Sequence, residues 1–257
     1  MSLEDQRGTV QRGTVQCVIL AGGLGTRLEP LTLRLPKHLA PVNGEPFADL
    51  QLRGLKHQGV DEVVYCIGKF GHMIRDYVGD GSRWGLRVRW VDEGEALRGT
   101  AGALRLALDQ GVLAERFLVV YGDSFLRFDL ASMADLHRRS RLPATMAILK
   151  NEGRWDTSNV RYVDGESLLY DKRAAARGES GFDFIDYGAA LLERSLIADE
   201  IPAGRSDLAD LYHRLSVEGR LAGFETRLRF YEIGSPAALR ELEERLADDP
   251  DFVSEPG

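Results

Sequence analysis

Apolar runs alternate along the chain with stretches of helical spacing, and the two periods predict most of its elements. The run VQCVIL (15–20) reads as a buried strand. The segment ADLQLRGLKHQG (48–59) spaces Leu50, Leu52 and Leu55 as on a helix and stops at Gly59, a helix-ending glycine. DEVVYCIG (61–68) is the next strand, FGHMIRDYVGDG (70–81) a helix broken at Gly79 and Gly81, and LRVRWVDE (86–93) an alternating strand. GTAGALRLALDQGV (99–112) is a helix that opens on small residues. RFLVVYGDSF (116–125) is an apolar strand that runs into a polar loop. These strand–helix units have the length of parallel crossovers. Ligands of such sheets bind beyond the C-terminal strand ends, which points to the loops 21–37, 92–100 and 122–128.

The second half mixes its patterns. PATMAILKN (143–151) and SNVRYVDGESLLYDK (158–172) read as strands, the latter a hairpin turning at Asp164–Gly165. DYGAALLERSLIADEI (186–201) and DLADLYHRLSVEGR (207–220) read as helices, LAGFETRLRFYEIGSP (221–236) as a strand pair and PAALRELEERLADD (236–249) as an amphipathic helix. The expected fold is α/β: a Rossmann-like, GT-A-like, mostly parallel mixed sheet flanked by helices. Its nucleotide-binding half is 16–130 and its more antiparallel acceptor half is 131–248. The pentapeptide QRGTV occurs twice, at 6–10 and 11–15. Residues 1–15 are expected to be a disordered tail, or a segment added ahead of the natural start.

Composition narrows the class. With 257 residues the chain can bury one substantial core. A formal charge of -7 argues against a general nucleic-acid or anionic-membrane binder, though not against a local basic pocket. No apolar run reaches the length of a membrane span, and no signal peptide is visible. Cys17 and Cys66 each sit inside an apolar run, as expected of buried, reduced thiols in a cytoplasmic protein.

The candidate chemistry begins where the first strand ends. Gly22, Gly23 and Gly25 lack side chains, so their N–H groups can approach an anion. On the glycines alone, a plain turn and a phosphate cradle stand level. Arg27 and Lys37 follow, the lysine behind Pro36 in an otherwise apolar stretch. An arginine fork and a lysine point charge converging on the loop favour a polyphosphate ligand.

The stretch LAGGLGTRLEPLTLRLPKHLAPVNGEP (20–46) closely resembles the signature of the sugar-1-phosphate nucleotidyltransferases, roughly GGxGTRLxPLTxxxPKPxxPVxxxP. His38 departs from it, standing where the family usually has proline. LRGTAGAL (97–104) is similar to the family segment whose backbone meets the nucleobase and ribose. VVYGDSF (119–125) resembles the strand whose aspartate binds Mg2+, and FYEIGSP (230–236) resembles its usual Asp-Ile-Gly partner with glutamate in place of aspartate. LLYDKR (168–173) and FIDYGAALL (184–192) look like the sugar-phosphate and sugar-pocket segments, while WDTSNV (155–160) falls where many members have Tyr-Gly-Val. The likeness runs from 15 to about 248 and is closest in the first 125 residues.

The resemblance implies transfer of a nucleotidyl group from an NTP to a sugar 1-phosphate, by in-line attack on the α-phosphorus, giving an NDP-sugar and pyrophosphate. The implied catalytic residues are Arg27 and Lys37. Leu20, Ala21, Gly22, Gly23, Gly25, Thr26, Gly99, Thr100 and Ala101 would hold the nucleotide, and Ser158, Asn159, Asp171, Lys172, Asp186 and Gly188 the sugar phosphate. Asp123 and Glu232 would hold Mg2+. The implied partners are an NTP, with GTP favoured, and a sugar 1-phosphate; self-association into a homo-oligomer is left open. Within the family, the short single-domain chain leans toward the heptose-1-phosphate guanylyltransferases. A dinucleotide-binding oxidoreductase is disfavoured because Gly22-Gly23-Leu24-Gly25 is too compact for G-x-G-x-x-G. A GT-A-like glycosyltransferase or a non-catalytic nucleotide-binding relative are the remaining alternatives. The first typically shows D-x-D where this chain reads GDSF.

Overall fold

A computed structural model describes residues 15–23, 35–163, 167–249 and 251–253. Its centre is β1 (Gln16–Ala21), flanked by β4 (Glu62–Ile67) and β6 (Arg116–Tyr121), both parallel to it. β5 (Arg87–Asp92) continues the parallel run beyond β4. The register aligns Ala21 with Ile67 and Leu20 with Tyr121. The loops leaving these strands therefore emerge along one edge of the sheet.

Strand periodicity explains the layering. Cys17 and Ile19 point to one face, with Tyr65, Leu118 and Val120, under α1 (Phe47–His57), α2 (Gly71–Val78) and α4 (Leu130–Ser140). Val18, Val64, Cys66 and Val119 point to the other, under α3 (Gly99–Asp109), α5 (Arg194–Glu200) and α6 (Leu208–Val217). Both cysteines are fully buried and unpaired, and burial pushes both thiols well above their ordinary range. α4 was not anticipated from the pattern. It is capped by Asp129, whose carboxylate accepts from Ser132 N–H.

The second half turns antiparallel. β11 (Phe184–Glu193) pairs antiparallel with β6 and with β8 (Ala144–Lys150), and β8 is joined in parallel by β12 (Leu221–Thr226). β9 (Val160–Val163) and β10 (Ser167–Tyr170) form an antiparallel pair at the sheet's far edge. Their connection, with Asp164 and Gly165, lies outside the described residues. The result is one mixed, mostly parallel sheet between helices, as the patterns predicted.

One element corrects the sequence reading. Residues 186–193 form a strand, and the helix begins only at Arg194. Gly188 adopts φ 91°, which no helix interior tolerates, and the register with β8 shifts between Asp186 and Ala190. Ala189 to Leu192 are buried on both faces of the sheet, so an apolar run replaced the alternation that would have marked a strand.

A small outlying layer completes the fold. β2 (Pro41–Val42) pairs with β3 (Glu45–Pro46), and β7 (Ser124–Phe125) with β13 (Tyr231–Glu232). α7 (Pro236–Asp248) sets Leu242 against Phe47, Phe125 and Ile233, and Ser235 caps it by accepting from Ala238 N–H. Among the described residues, no helix is long and apolar enough to cross a membrane.

Candidate active site

The strand ends after β1, β5 and β6 enclose a cavity of about 340 Å3. Leu20, Ala21, Gly22 and Gly23 form one wall, and Gly99 and Thr100 at the start of α3 face them. Ala101, in the first turn of α3, is fully buried and does not line the cavity; its N–H donates to Ser206 C=O. Gly99 has φ 73°, and a side chain there would meet Ser206 C=O at 2.5 Å and Asp207 Oδ1 at 2.7 Å. Gly25, Thr26 and Arg27 lie outside the described residues.

Lys37 begins a short 3-10 turn (Lys37–Leu39) and reaches across the cavity mouth to Asp123. Its Nζ is 2.6 Å from Asp123 Oδ2. The Asp123 side chain keeps 31% of its surface exposed, so it faces the cavity rather than the core. Glu232 stands opposite Ser124 in the β7–β13 pair, and Ile233 N–H donates to Asp123 C=O at 2.9 Å. Two carboxylate-bearing residues 109 positions apart thus become backbone neighbours. Among the described residues, no three Asp, Glu, His or Cys side chains converge as a ready-made metal cage. Asp123 lines the first cavity and Glu232 lines neither; a carboxylate such as that of Asp123 suits a hard divalent cation that takes its other ligands from phosphate oxygens and water.

A second cavity, of about 710 Å3, adjoins the first. The two share Thr100, Tyr121 and Asp207. Asp171 and Lys172 line the second with Arg173, Arg177 and His213. The Asp171 carboxylate is engaged by Arg177, which holds it below the ordinary range. Lys172 is exposed, with its charge felt at Asp186. Burial holds the Asp186 carboxyl up at about 6, although Gly188 N–H donates to it. Asn159 Oδ1 accepts from Asp186 N–H, and Asn159 C=O accepts from Asp171 N–H, so Asn159 fixes two of these segments to each other. Ser158 lines a separate groove with Trp155 and Phe182, and its hydroxyl accepts from Asn151 Nδ2.

Glu93 and His38 are among the lining residues that sequence reasoning missed. Glu93 follows β5 and is only 9% exposed. Its Oε2 accepts from Arg98 N–H at 2.8 Å, and burial pushes its carboxyl up. Its Oε1 lies so close to Gly22 that a side chain there would meet it at 2.4 Å. His38 was seen only as a departure from the signature. It is 3% exposed and bonded through both ring nitrogens, to Gly122 C=O and the Tyr65 hydroxyl. Burial lowers it to about 4, so it is neutral near pH 7. Gly22 beside Glu93 and both partners of His38 are distant in sequence, and no local pattern marks either residue.

Comparison with known proteins gives consistent matches. The family model described as nucleotidyl transferase matches residues 16–156. A D-glycero-alpha-D-manno-heptose 1-phosphate guanylyltransferase from Aneurinibacillus thermoaerophilus is 27% identical over 90% of this chain and 98% of its own. An N-acetylmuramate alpha-1-phosphate uridylyltransferase from Neisseria meningitidis is 30% identical over 89% of this chain and 97% of its own. Two further curated relatives are longer, and the match spans 56% and 62% of them. Among solved structures, HddC from Yersinia pseudotuberculosis complexed with GMP-PN superposes with a TM-score of 0.70, at 23% identity, over 91% of this chain and 100% of that one. At that identity the likeness speaks for the fold.

Proposed function

The chain belongs to the nucleotidyl transferase family, and from that premise we propose that it joins GTP to a sugar 1-phosphate at the paired cavities. The reaction class is transfer of a nucleotidyl group from an NTP to a sugar 1-phosphate, giving an NDP-sugar and pyrophosphate. The observation that carries the site assignment is the Lys37–Asp123 pair at the mouth of the first cavity, next to the cavity that holds Lys172.

The chemistry asks little of a general base. The attacking oxygen belongs to a phosphate already anionic at neutral pH, and the work is to hold two polyanions in line and offset their charge. Gly22 and Gly23 offer backbone N–H groups to the triphosphate from the end of β1. Arg27 grips the phosphates that leave as pyrophosphate. Lys37 exchanges Asp123 for an oxygen of the transferring phosphate, and Lys172 anchors the incoming one from the second cavity. A divalent cation, which we take to be Mg2+, would bind Asp123 and Glu232 and supply further charge neutralisation between the two phosphates. Asp171, held by Arg177, lines the second cavity, and Asp186, which lines neither, would accept from a sugar hydroxyl beside it.

Base choice rests on Glu93. Guanine is the base with two adjacent donors, N1–H and N2–H2, on one edge, and a carboxylate is their complement. A carboxylate has about four acceptor positions, and Arg98 N–H uses one of those of Glu93. Uracil and thymine would set acceptors beside the same carboxylate. The product is an activated glycosyl donor, so a glycosyl-transfer reaction must consume it. The test is pyrophosphate release from each of four NTPs against a panel of sugar 1-phosphates. Release should need both substrates and be fastest with GTP; release without any sugar phosphate would sink the reading.

A further inference from the structure

We propose that His38 is a positioning residue that holds the Lys37 turn and the Asp123 loop in fixed relation. Gly122 C=O can only accept, so His38 Nδ1 carries the proton and donates at 2.7 Å. Nε2 then holds the lone pair, and the Tyr65 hydroxyl donates to it at 2.8 Å. Tyr65 is fully buried on β4 and stacked on Trp90 at 5.0 Å between ring centres, so the second anchor of the imidazole is itself packed in the core.

The connectivity gives this bond its meaning. His38 follows Lys37 and Gly122 precedes Asp123, so the chain closes a ring: Lys37, His38, Gly122, Asp123 and back to Lys37. Gly122 N–H also donates to Leu20 C=O, at the end of the strand that starts the glycine turn. A side chain at Gly122 would press on Ala21 at 3.0 Å. One imidazole therefore ties together the lysine turn, the aspartate loop and the β1 end. When Lys37 leaves Asp123 for a phosphate oxygen, the His38–Gly122 bond still joins the two segments. A plain core histidine would fill volume; this one bridges the residues flanking two reactive side chains.

The proposal rests on the roles given to Lys37 and Asp123, and the experiment separates the two. His38→Phe keeps a ring but no donor, His38→Asn keeps a donor near the Nδ1 position, and Lys37→Ala reports on the site itself. The readouts are kcat, KM for GTP, thermal midpoint, and amide hydrogen exchange at residues 122–125 without substrate. His38→Phe should lower kcat tenfold or more, with KM within threefold, and speed exchange at 122–125 while amides of β4 keep their protection. His38→Asn should recover to within threefold of the parent. Equal loss in both variants, scaling with the thermal midpoint, would overturn the proposal, as would unchanged kcat in His38→Phe. If Lys37→Ala also retains full activity, the site assignment itself has failed. Should neither His38 variant fold, Tyr65→Phe decides. Imidazole 15N chemical shifts should then keep the Nδ1–H tautomer that Gly122 C=O fixes while kcat falls, and an Nε2–H tautomer or an unchanged rate would contradict the tether.

Discussion

Lys37 Nζ and Asp123 Oδ2 stand 2.6 Å apart at the cavity mouth, joined across 86 residues of sequence. In the free protein each neutralises the other. On the proposed mechanism the cation would turn to a phosphate and the carboxylate to a divalent cation once substrate binds, so both charges would gain their second partner from the reaction. Lys37→Ala should lower kcat by about a hundredfold to a thousandfold, the scale of losing one preorganised charge. Circular dichroism should match the parent. Lys37→Arg should restore little, because a planar fork does not replace a point charge.

Glu93→Gln keeps size and removes the acceptor pair that guanine needs. The ratio of kcat/KM for GTP over UTP should fall by about tenfold to a hundredfold, as when a buried polar match is lost. Competition assays with both nucleotides present measure this ratio directly. An unchanged ratio would remove Glu93 from base choice.

The glycines should separate into two kinds. At Gly22 the obstacle is a side-chain tip, Glu93 Oε1 at 2.4 Å, which can swing away. Gly22→Ala should cost under about 1 kcal/mol of stability and raise KM for GTP about tenfold. At Gly99 the obstacle is backbone, Ser206 C=O at 2.5 Å, with φ at 73°. Gly99→Ala should cost on the order of 1–3 kcal/mol. Urea unfolding of the two variants side by side checks the contrast.

Asp186 should leave a mark on stability against pH. Its folded carboxyl titrates at about 6, above an unfolded aspartate, so the native state binds more protons between roughly pH 4 and 6. Stability therefore falls as pH rises through that window and levels off above it. Asp186→Asn should flatten the slope and gain on the parent by at most about 3 kcal/mol by pH 7. Parallel pH curves for the two proteins would show that Asp186 does not titrate this way.

Much of the fold was legible because the β1, β4 and β6 runs are apolar, short and separated by helical spacing. The signature around Gly22 and Lys37 was legible because it is contiguous. Residues 186–193 were not, since burial on both faces erases the alternation that separates strand from helix. Glu93 and His38 were invisible for another reason. Their meaning comes from Gly22 and from Gly122 and Tyr65, which only the sheet register brings alongside. Glu232 is assigned only through resemblance; its strand pairs with β7, which no local pattern announced.

The most direct test follows the phosphorus atom. GTP labelled at its α-phosphate is mixed with excess enzyme, Mg2+ and a panel of sugar 1-phosphates in a single turnover. The account predicts that label passes into an NDP-sugar with at least one acceptor, and that Lys37→Ala slows this step by about a hundredfold or more. Label that stays in GTP with every acceptor, or a Lys37→Ala rate equal to the parent's, would contradict it.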